Sequence, residues 1–305
     1  MHDHAVDGIA GIPICLAREG LGLRRTADPG DTLPEAIAFA ERMSRECATY
    51  AEALECFLAY RAPALPPDEL ALARRRLFAR TVGTSHDAIR RAARMLARRD
   101  RALATRGRFH IDVGCGMGFE TIASAKSVFG DRVIGIDLSP HYLVMAKRLA
   151  GEHGVGGASF VCADISEGWP IAIADLDVAF ISMEGVLEHV KDVPGFFAAL
   201  QSVRSFPLCI YLTVPWRWSI RPESHYNLRF IGLMPPSIRD AYLKRRLGVE
   251  TLDPIELYSA ASLRAVLERY FAKEAIALEL NASLPWRRHY LRACIDLRGP
   301  GDIRD

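Results

Sequence analysis

The chain has no apolar run near the roughly 18 residues that a membrane-spanning helix needs. It has no C-x-x-C pair among its seven cysteines: Cys15, Cys47, Cys56, Cys115, Cys162, Cys209 and Cys294. The odd count and the apolar surroundings of several argue for reduced, buried thiols in a cytoplasmic protein rather than disulfides or a zinc site. Net charge is scarce as well. A formal value of +2 over 305 residues is too small for a protein that lives on phosphate backbones. Lysine is rare, the first being Lys126, and arginine takes its place. With abundant Ala, Gly and Pro this suggests a GC-rich, bacterial genome, so Arg-rich stretches count for little as binding signals. The start, MHDHAVDGIAGIPICLA, lacks the basic segment of a secretory signal, and His2 and His4 read as a frayed polar terminus rather than a metal site.

Half of the residues are hydrophobic, enough for a large core and one or two domains. Residues 1–31, rich in Gly, Asp and Pro, are expected to form an irregular leader. Thr32-Leu33-Pro34-Glu35 reads as a capping box. One long helix should follow it, with Ile37, Ala40, Met43, Cys47, Leu54, Phe57 and Leu58 at helical spacing, until Pro63 breaks it. Further helices are expected from Asp68 to about Arg80 and from Ser85 to before Gly107. Residues 1–107 thus read as an all-helical region, serving as a lid or an oligomerisation element, and a homodimer is left open.

The pattern then changes. Phe109–Val113, Arg132–Asp137, Ser159–Asp164, Leu176–Ser182 and Leu208–Val214 are continuously apolar strand patterns. Helical segments 119–129, 140–150 and 193–203 separate most of them. This alternation predicts an α/β fold: a Rossmann-like, seven-stranded, mostly parallel sheet covered on both faces. The last two strands, Ala275–Leu280 and His289–Leu297, are joined by too short a link for a parallel crossover and should be antiparallel. Between the fifth strand and a helix from Ala260 lies an insertion, residues 215–259, carrying Trp216, Trp218, His225, Tyr226, Phe230 and Met234. Ser237 can cap a short helix in it. A long connection at one edge of an open sheet favours a functional role.

Three strand tips carry chemistry. Asp112-Val113-Gly114-Cys115-Gly116-Met117-Gly118 lies between a strand and a helix, where glycines let the backbone turn tightly and approach a ligand. Its spacing is G-x-G-x-G, not the G-x-G-x-x-G of dinucleotide sites. Asp137 ends the next strand, where a carboxylate can accept both ribose hydroxyls of an adenosine, with Leu138 against the adenine. Asp164 ends the third, placed to accept the adenine amino group, with Ile165 on the ring. Each aspartate alone also suits an ordinary helix N-cap. Together, on the carboxyl edge where open sheets bind ligands, they point to an adenosine-containing cofactor.

The runs IDVGCGMGFETIASA, VIGIDLSPHYLVMAKRLA, FVCADI and VAFISMEGVLEHVKDV resemble class I S-adenosylmethionine (SAM)-dependent methyltransferases over about residues 108–214. The resemblance implies that residues 108–305 form the methyltransferase domain and that SAM is converted to S-adenosylhomocysteine. It implies that Asp112 and the loop Gly114, Cys115, Gly116 and Gly118 hold the methionine part. Asp137 would hold the ribose, Leu138 and Ile165 would flank adenine, Asp164 would bind its amino group, and Met183 and Glu184 would line the methyl-transfer side. Cys115 reads as packing. Methyl transfer from a sulfonium needs alignment, exclusion of water and sometimes a base, and no metal is expected.

The acceptor is narrowed by what is missing. The place of the Asn- or Asp-Pro-Pro-aromatic motif of amino-methylating nucleic-acid enzymes reads Ser182-Met183-Glu184-Gly185. The cysteine nucleophile of cytosine C5 methylation is missing as well. Glu188-His189-Val190 resembles a stretch of small-molecule and glycan methyltransferases, with His189 either a base or a structural group. Trp218 to Phe230, containing His225, is similar to a segment of methyltransferases of polysaccharide and natural-product assembly. These readings favour a small sugar, glycolipid or phenolic hydroxyl, with His189 or His225 as base. They compete with a SAM-binding protein without catalysis, a nucleic-acid methyltransferase and, against the glycine spacing, a nicotinamide-dependent oxidoreductase.

Overall fold

The structure is a computed structural model that describes residues 5–9, 12–15, 33–61, 71, 107–165, 176–201, 208–220, 228–247, 256–280 and 290–297. The chain divides into two compact units, residues 1–181 and 182–305. Among the described residues no helix is long and apolar enough to cross a membrane.

In the first unit the sheet is built outward from β3 (Phe109–Val113). It pairs in parallel with β4 (Val133–Asp137), His110 opposite Val133 and Val113 opposite Ile136. β4 in turn pairs in parallel with β5 (Ser159–Cys162), Asp137 opposite Cys162. All three strands are buried but for their ends, as their unbroken apolar patterns demand. β5 stops at Cys162, two residues short of the expected Asp164. The leader, expected to be irregular, contains two strands. β1 (Ala5–Ile9) and β2 (Ile12–Cys15) form an antiparallel pair, and β2 lies parallel to β5. Their short apolar stretches are punctuated by glycine, and pairing with an existing strand edge, not local pattern, makes them strands.

The single long helix expected after Thr32 is two helices, α1 (Leu33–Glu46) and α2 (Tyr50–Arg61). The cause is a capping box inside the run. Glu52 Oε2 accepts from the backbone N–H of Ala48 and Thr49 at 2.7 and 3.2 Å, while Glu52 N donates to Thr49 Oγ1 at 3.2 Å. Apolar periodicity is nearly continuous across the break, so it alone does not reveal the stop. The remaining expected helices before Gly107 fall outside the described residues, Ala71 apart, as does Thr32.

α3 (Phe119–Ser124) follows β3 and continues as a π-helical turn to Phe129, and α4 (Pro140–Glu152) follows β4. Phe39, Met43, Leu54 and Phe57 of α1 and α2 share one hydrophobic core with Phe119, Ile122, Leu143 and Met145. Arg148 Nη2 donates to the Ser44 carbonyl at 2.7 Å and Tyr50 N donates to Glu152 at 2.7 Å. His141, fully buried, stacks on Phe57 at 5.1 Å between centroids. At the other end of the strands, Arg108 is buried, donating to Asp177 at 2.8 Å and to the Val178 carbonyl at 2.9 Å.

β6 runs Val178–Glu184 and passes from one unit into the next. It begins and ends two residues later than the sequence pattern suggests, so Met183 and Glu184 belong to the strand. In the second unit it leads to α5 (Val193–Gln201) and to β7 (Leu208–Pro215), buried along its whole length. β7 pairs antiparallel with β9 (Tyr290–Leu297), from Leu208 opposite Leu297 to Pro215 opposite Tyr290. β8 (Ile276–Leu280) pairs antiparallel with β9. The strand order is β1-β2-β5-β4-β3-β6 in the first unit and β6-β7-β9-β8 in the second. The mostly parallel, Rossmann-like sheet with an antiparallel carboxyl-terminal pair is therefore the fold. The insertion contains α6 (Pro236–Leu247), and α7 (Ala260–Leu267) follows it behind a Ser259/Ser262 capping box. Ser237 lies inside α6 rather than capping it. The Pro235 carbonyl accepts the first helical bonds, and Pro236 occupies the first turn, where no N–H is needed.

Candidate active site

In the first unit the glycine loop leaves β3 at Asp112. This carboxylate is buried and accepts from Thr121 Oγ1 at 2.7 Å. The tie fixes the loop's entry to the first turn of α3. Gly116 and Gly118 both have positive φ, 52° and 78°, for different reasons. A Cβ on Gly118 would lie 2.8 Å from Ala146 Cβ and 3.2 Å from Phe160, so this glycine lets the loop pack on α4. A Cβ on Gly116 would meet nothing within 4 Å, so this glycine turns an open backbone surface outward. Cys115 is buried beneath the loop. Burial, then the charges of Asp137, Asp112 and Glu120, push its thiol well above the usual range, so it stays protonated at neutral pH.

Asp137 stands beside this open surface. Its Oδ2 accepts from Gly116 N at 2.8 Å and its Oδ1 from Ser139 N at 2.9 Å. The helix cap of α4 is Ser139, whose Oγ accepts from Tyr142 N at 3.4 Å. The N-cap alternative for Asp137 is thereby removed: the carboxylate is held at the strand tip, half-buried, by two backbone donors. Leu138 is also half-buried beside it. The next tip is tied in through Ala163 N, which donates to the Asp137 carbonyl at 3.0 Å. Asp164 follows, half-buried, and Ile165 is buried.

The loop's own N–H groups argue against a dinucleotide. A pyrophosphate site presents free backbone donors at a helix N-terminus. Here Cys115 N donates to the Ile136 carbonyl at 3.0 Å, Gly118 N to Cys115 at 2.9 Å and Gly116 N to Asp137. Asp112, Glu120 and Asp137 all lie close enough to raise the Cys115 thiol. An acidic loop disfavours phosphate and suits a ligand carrying ammonium and sulfonium charges.

The amino acids of residues 111–205 match the family model described as a methyltransferase domain. With the glycine loop and the held Asp137, this decides the class. Over residues 111–205 the chain carries a methyltransferase domain. Similar solved structures include a SAM-dependent methyltransferase from Aquifex aeolicus, at 15% identity over 67% of this chain and 97% of that one, TM-score 0.42. Another, from Mesorhizobium loti, is 17% identical over 67% and 96%, TM-score 0.45. Phosphoethanolamine N-methyltransferase 2 of Haemonchus contortus, in complex with SAM, is 13% identical over 63% of this chain and 49% of that one, TM-score 0.43. All three TM-scores are below 0.5, and these likenesses carry no weight in the assignment.

In the second unit the methyltransferase turns sharply after β6. Met183 is buried and Glu184 half-buried. Gly185, at φ 68°, donates its N–H to the Thr213 carbonyl at 3.1 Å, and a 3-10 turn follows over Leu187–His189. The turn buries Glu188 and exposes His189. The far end of the insertion is fastened here, Glu256 N donating to the Glu188 carbonyl at 3.0 Å, and it is tied to the insertion's own start, Arg217 N donating to the Tyr258 carbonyl at 2.9 Å. Tyr258 is buried. Its phenol is pushed up to about 12 by burial, then by the charges of Glu256 and Glu188. Glu188 and Tyr258 do not stand out in the sequence beside His189 and the aromatic middle of the insertion, because only the fold buries them together with this turn. Nor do Thr121 and Glu120, whose signal is a polar pair within the first turn after the glycine loop. His225 falls outside the described residues. Among the described residues there is no group of three or more His, Cys, Asp or Glu able to hold a metal.

Proposed function

We propose that this methyltransferase transfers a methyl group to a hydroxyl of a small acceptor: a sugar, a glycolipid or a phenolic natural-product intermediate. The observation that carries the reading is the β6 tip, Ser182-Met183-Glu184-Gly185, leading into a turn that sets a buried Glu188 beside an exposed His189. This tip lacks the proline-rich platform on which exocyclic base amines are methylated, and it offers acid–base groups instead.

SAM supplies the methyl group. In this proposal Asp112 and Gly114 to Gly118 orient its methionine part, Asp137 accepts from the ribose hydroxyls, Leu138 and Ile165 enclose adenine and Asp164 accepts from its amino group. The open space at Gly116 and the two N–H groups that aim Asp137 support this assignment. Met183 and Glu184 face the transferred group. His189 or His225 takes the acceptor's proton. The setting proposed is the cytoplasm, in keeping with an odd cysteine count and no C-x-x-C pair.

Calorimetry with SAM on the wild type and Asp137→Ala, with NAD as control ligand, tests the cofactor half. A panel of hydroxylated acceptors with methyl-labelled SAM tests the rest, repeated with His189→Ala and His225→Ala. Labelling of nucleic acid alone would refute the acceptor class. SAM binding without turnover on any acceptor would favour a non-catalytic regulator. Full turnover in both histidine variants would remove the base assignment.

A further inference from the structure

Five large hydrophobic side chains are exposed among the described residues: Trp218, Ile220, Phe230, Leu233 and Ile238. All belong to the insertion, and each exposes between 42% and 58% of its surface. Scattered exposed apolar residues need no explanation, but confinement to one segment does. The two limbs that carry them touch. The Arg217 guanidinium lies 5.3 Å from the Trp218 ring centroid, and Arg217 Nε donates to the Gly232 carbonyl at 3.4 Å. Leu233 N donates to the Phe230 carbonyl, and Ile238 N to the Pro235 carbonyl at the start of α6. The segment also has an inner face, where Ile231, Leu243 and Leu257 are buried with Leu228 and Tyr242 packed on them. The exposed set is therefore the outer side of a folded element. Phe230 is the non-glycine residue with positive φ among the described residues, 65°, and about half of its surface is exposed. Backbone strain of this kind clusters at functional surfaces.

Charge decides what covers it. Residues 216–247 contain seven basic side chains and two acidic ones, Glu223 and Asp240, a net +5 in a chain whose total is +2. On α6, Lys244 and Arg245 are exposed on the same side as Ile238 and Ala241. A second copy is disfavoured, since a two-fold contact would set this basic face against itself. Nucleic acid has no use for exposed Ile220, Leu233 and Ile238, which offer bases nothing to stack on. An anionic lipid surface matches both features: Trp, Phe and aliphatic tips enter the headgroup boundary while Lys and Arg meet the phosphates.

We propose that the outer face of the insertion, Trp218, Ile220, Phe230, Leu233 and Ile238 with Lys244 and Arg245, is a peripheral docking surface for anionic membranes. It goes beyond the methyl-transfer reading. Its test reads binding, not turnover, so either proposal can fail alone.

The experiment is co-sedimentation of the full chain with vesicles of phosphatidylcholine, with and without about 30% phosphatidylglycerol. Ile238→Asp, Trp218→Ser and the pair Lys244→Glu/Arg245→Glu are compared with wild type, each checked for an unchanged circular dichroism spectrum and SAM affinity. Wild type should bind the phosphatidylglycerol vesicles and not phosphatidylcholine alone. The charge-reversed pair should weaken binding ~10-fold or more, and about 0.5 M salt should weaken it similarly. Ile238→Asp and Trp218→Ser should also weaken binding clearly. No preference for the anionic vesicles would overturn the proposal, as would binding indifferent to both apolar substitutions. A concentration-dependent dimer in sedimentation velocity that Ile238→Asp dissolves would assign the face to a second copy. Binding of a single-stranded RNA oligomer lost in the charge pair but kept in Ile238→Asp would assign it to nucleic acid.

Discussion

Substituting alanine at Gly116 and at Gly118 separates packing from ligand approach within a single loop. Both glycines sit at positive φ, where an L side chain costs about 1–2 kcal/mol. At Gly118 the new methyl also falls 2.8 Å from Ala146 Cβ, and the neighbouring Ala146 Cα is backbone that cannot swing away. Overpacking of this kind adds ~1–3 kcal/mol, for a total near ~3 kcal/mol. At Gly116 nothing lies within 4 Å, so only the conformational cost remains. For a folded unit of this size ~1 kcal/mol shifts Tm by about 2–4 °C. Gly118→Ala should therefore melt ~6–12 °C below wild type and Gly116→Ala, at ~1.5 kcal/mol, only ~3–6 °C below. SAM affinity should run the other way. The Gly116 methyl enters the space assigned to the cofactor, and a loss of ~10-fold or more, about 1.4 kcal/mol, is expected by calorimetry at a temperature where both variants are folded. Should Gly116→Ala bind SAM as tightly as wild type, the open surface is not where the cofactor lies. Should the two variants melt alike, the packing argument at Ala146 is wrong.

Asp137→Asn keeps the shape of the strand tip but removes a charged acceptor, so SAM affinity should fall roughly 10–100-fold by calorimetry, from the ~1.5–3 kcal/mol of charge-assisted hydrogen bonds. Thr121→Val deprives the buried Asp112 carboxylate of its 2.7 Å donor and should cost ~1.5–3 kcal/mol in urea unfolding; an unchanged midpoint would show that Asp112 does not depend on it. His110 is fully buried against Phe129 and Phe180, and burial lowers it from 6.5 to about 3. Below about pH 6.5 the unfolded chain binds a proton that the native state does not, so stability falls on acidification, by up to ~1.4 kcal/mol per pH unit between 6.5 and 3. Unfolding at pH 7 and pH 5 should show a loss in wild type roughly 2 kcal/mol larger than in His110→Gln; equal losses would contradict the neutral buried imidazole. Glu52→Ala should cost about 1 kcal/mol, because Ala48 N and Thr49 N lose their acceptor, and hydrogen exchange should open first at the α1–α2 junction.

The sequence by itself determined the sheet and the glycine loop. Strands buried on both faces must be continuously apolar, and a backbone turning sharply at a strand tip must carry glycine, so both leave local marks that a reader can see. It also determined that an acidic residue stands at the carboxyl end of β3 and β4 and just past the end of β5. It did not decide their roles. Asp137 and Ser139 are equally plausible helix caps on paper, and only the folded loop, bringing Gly116 N to the Asp137 carboxylate, leaves the capping to Ser139. The helix break at Cys47–Thr49 was written in Thr49 and Glu52, but beneath an apolar periodicity that runs through it. β1 and β2 were not legible, since a short strand takes its shape from the edge it pairs with. Nor was the contrast between Glu188 and His189. Adjacent residues in a tight turn point apart, and the one that is buried is the one whose carbonyl accepts from Glu256 N, almost 70 positions away in the chain and joined to this turn by a tertiary hydrogen bond.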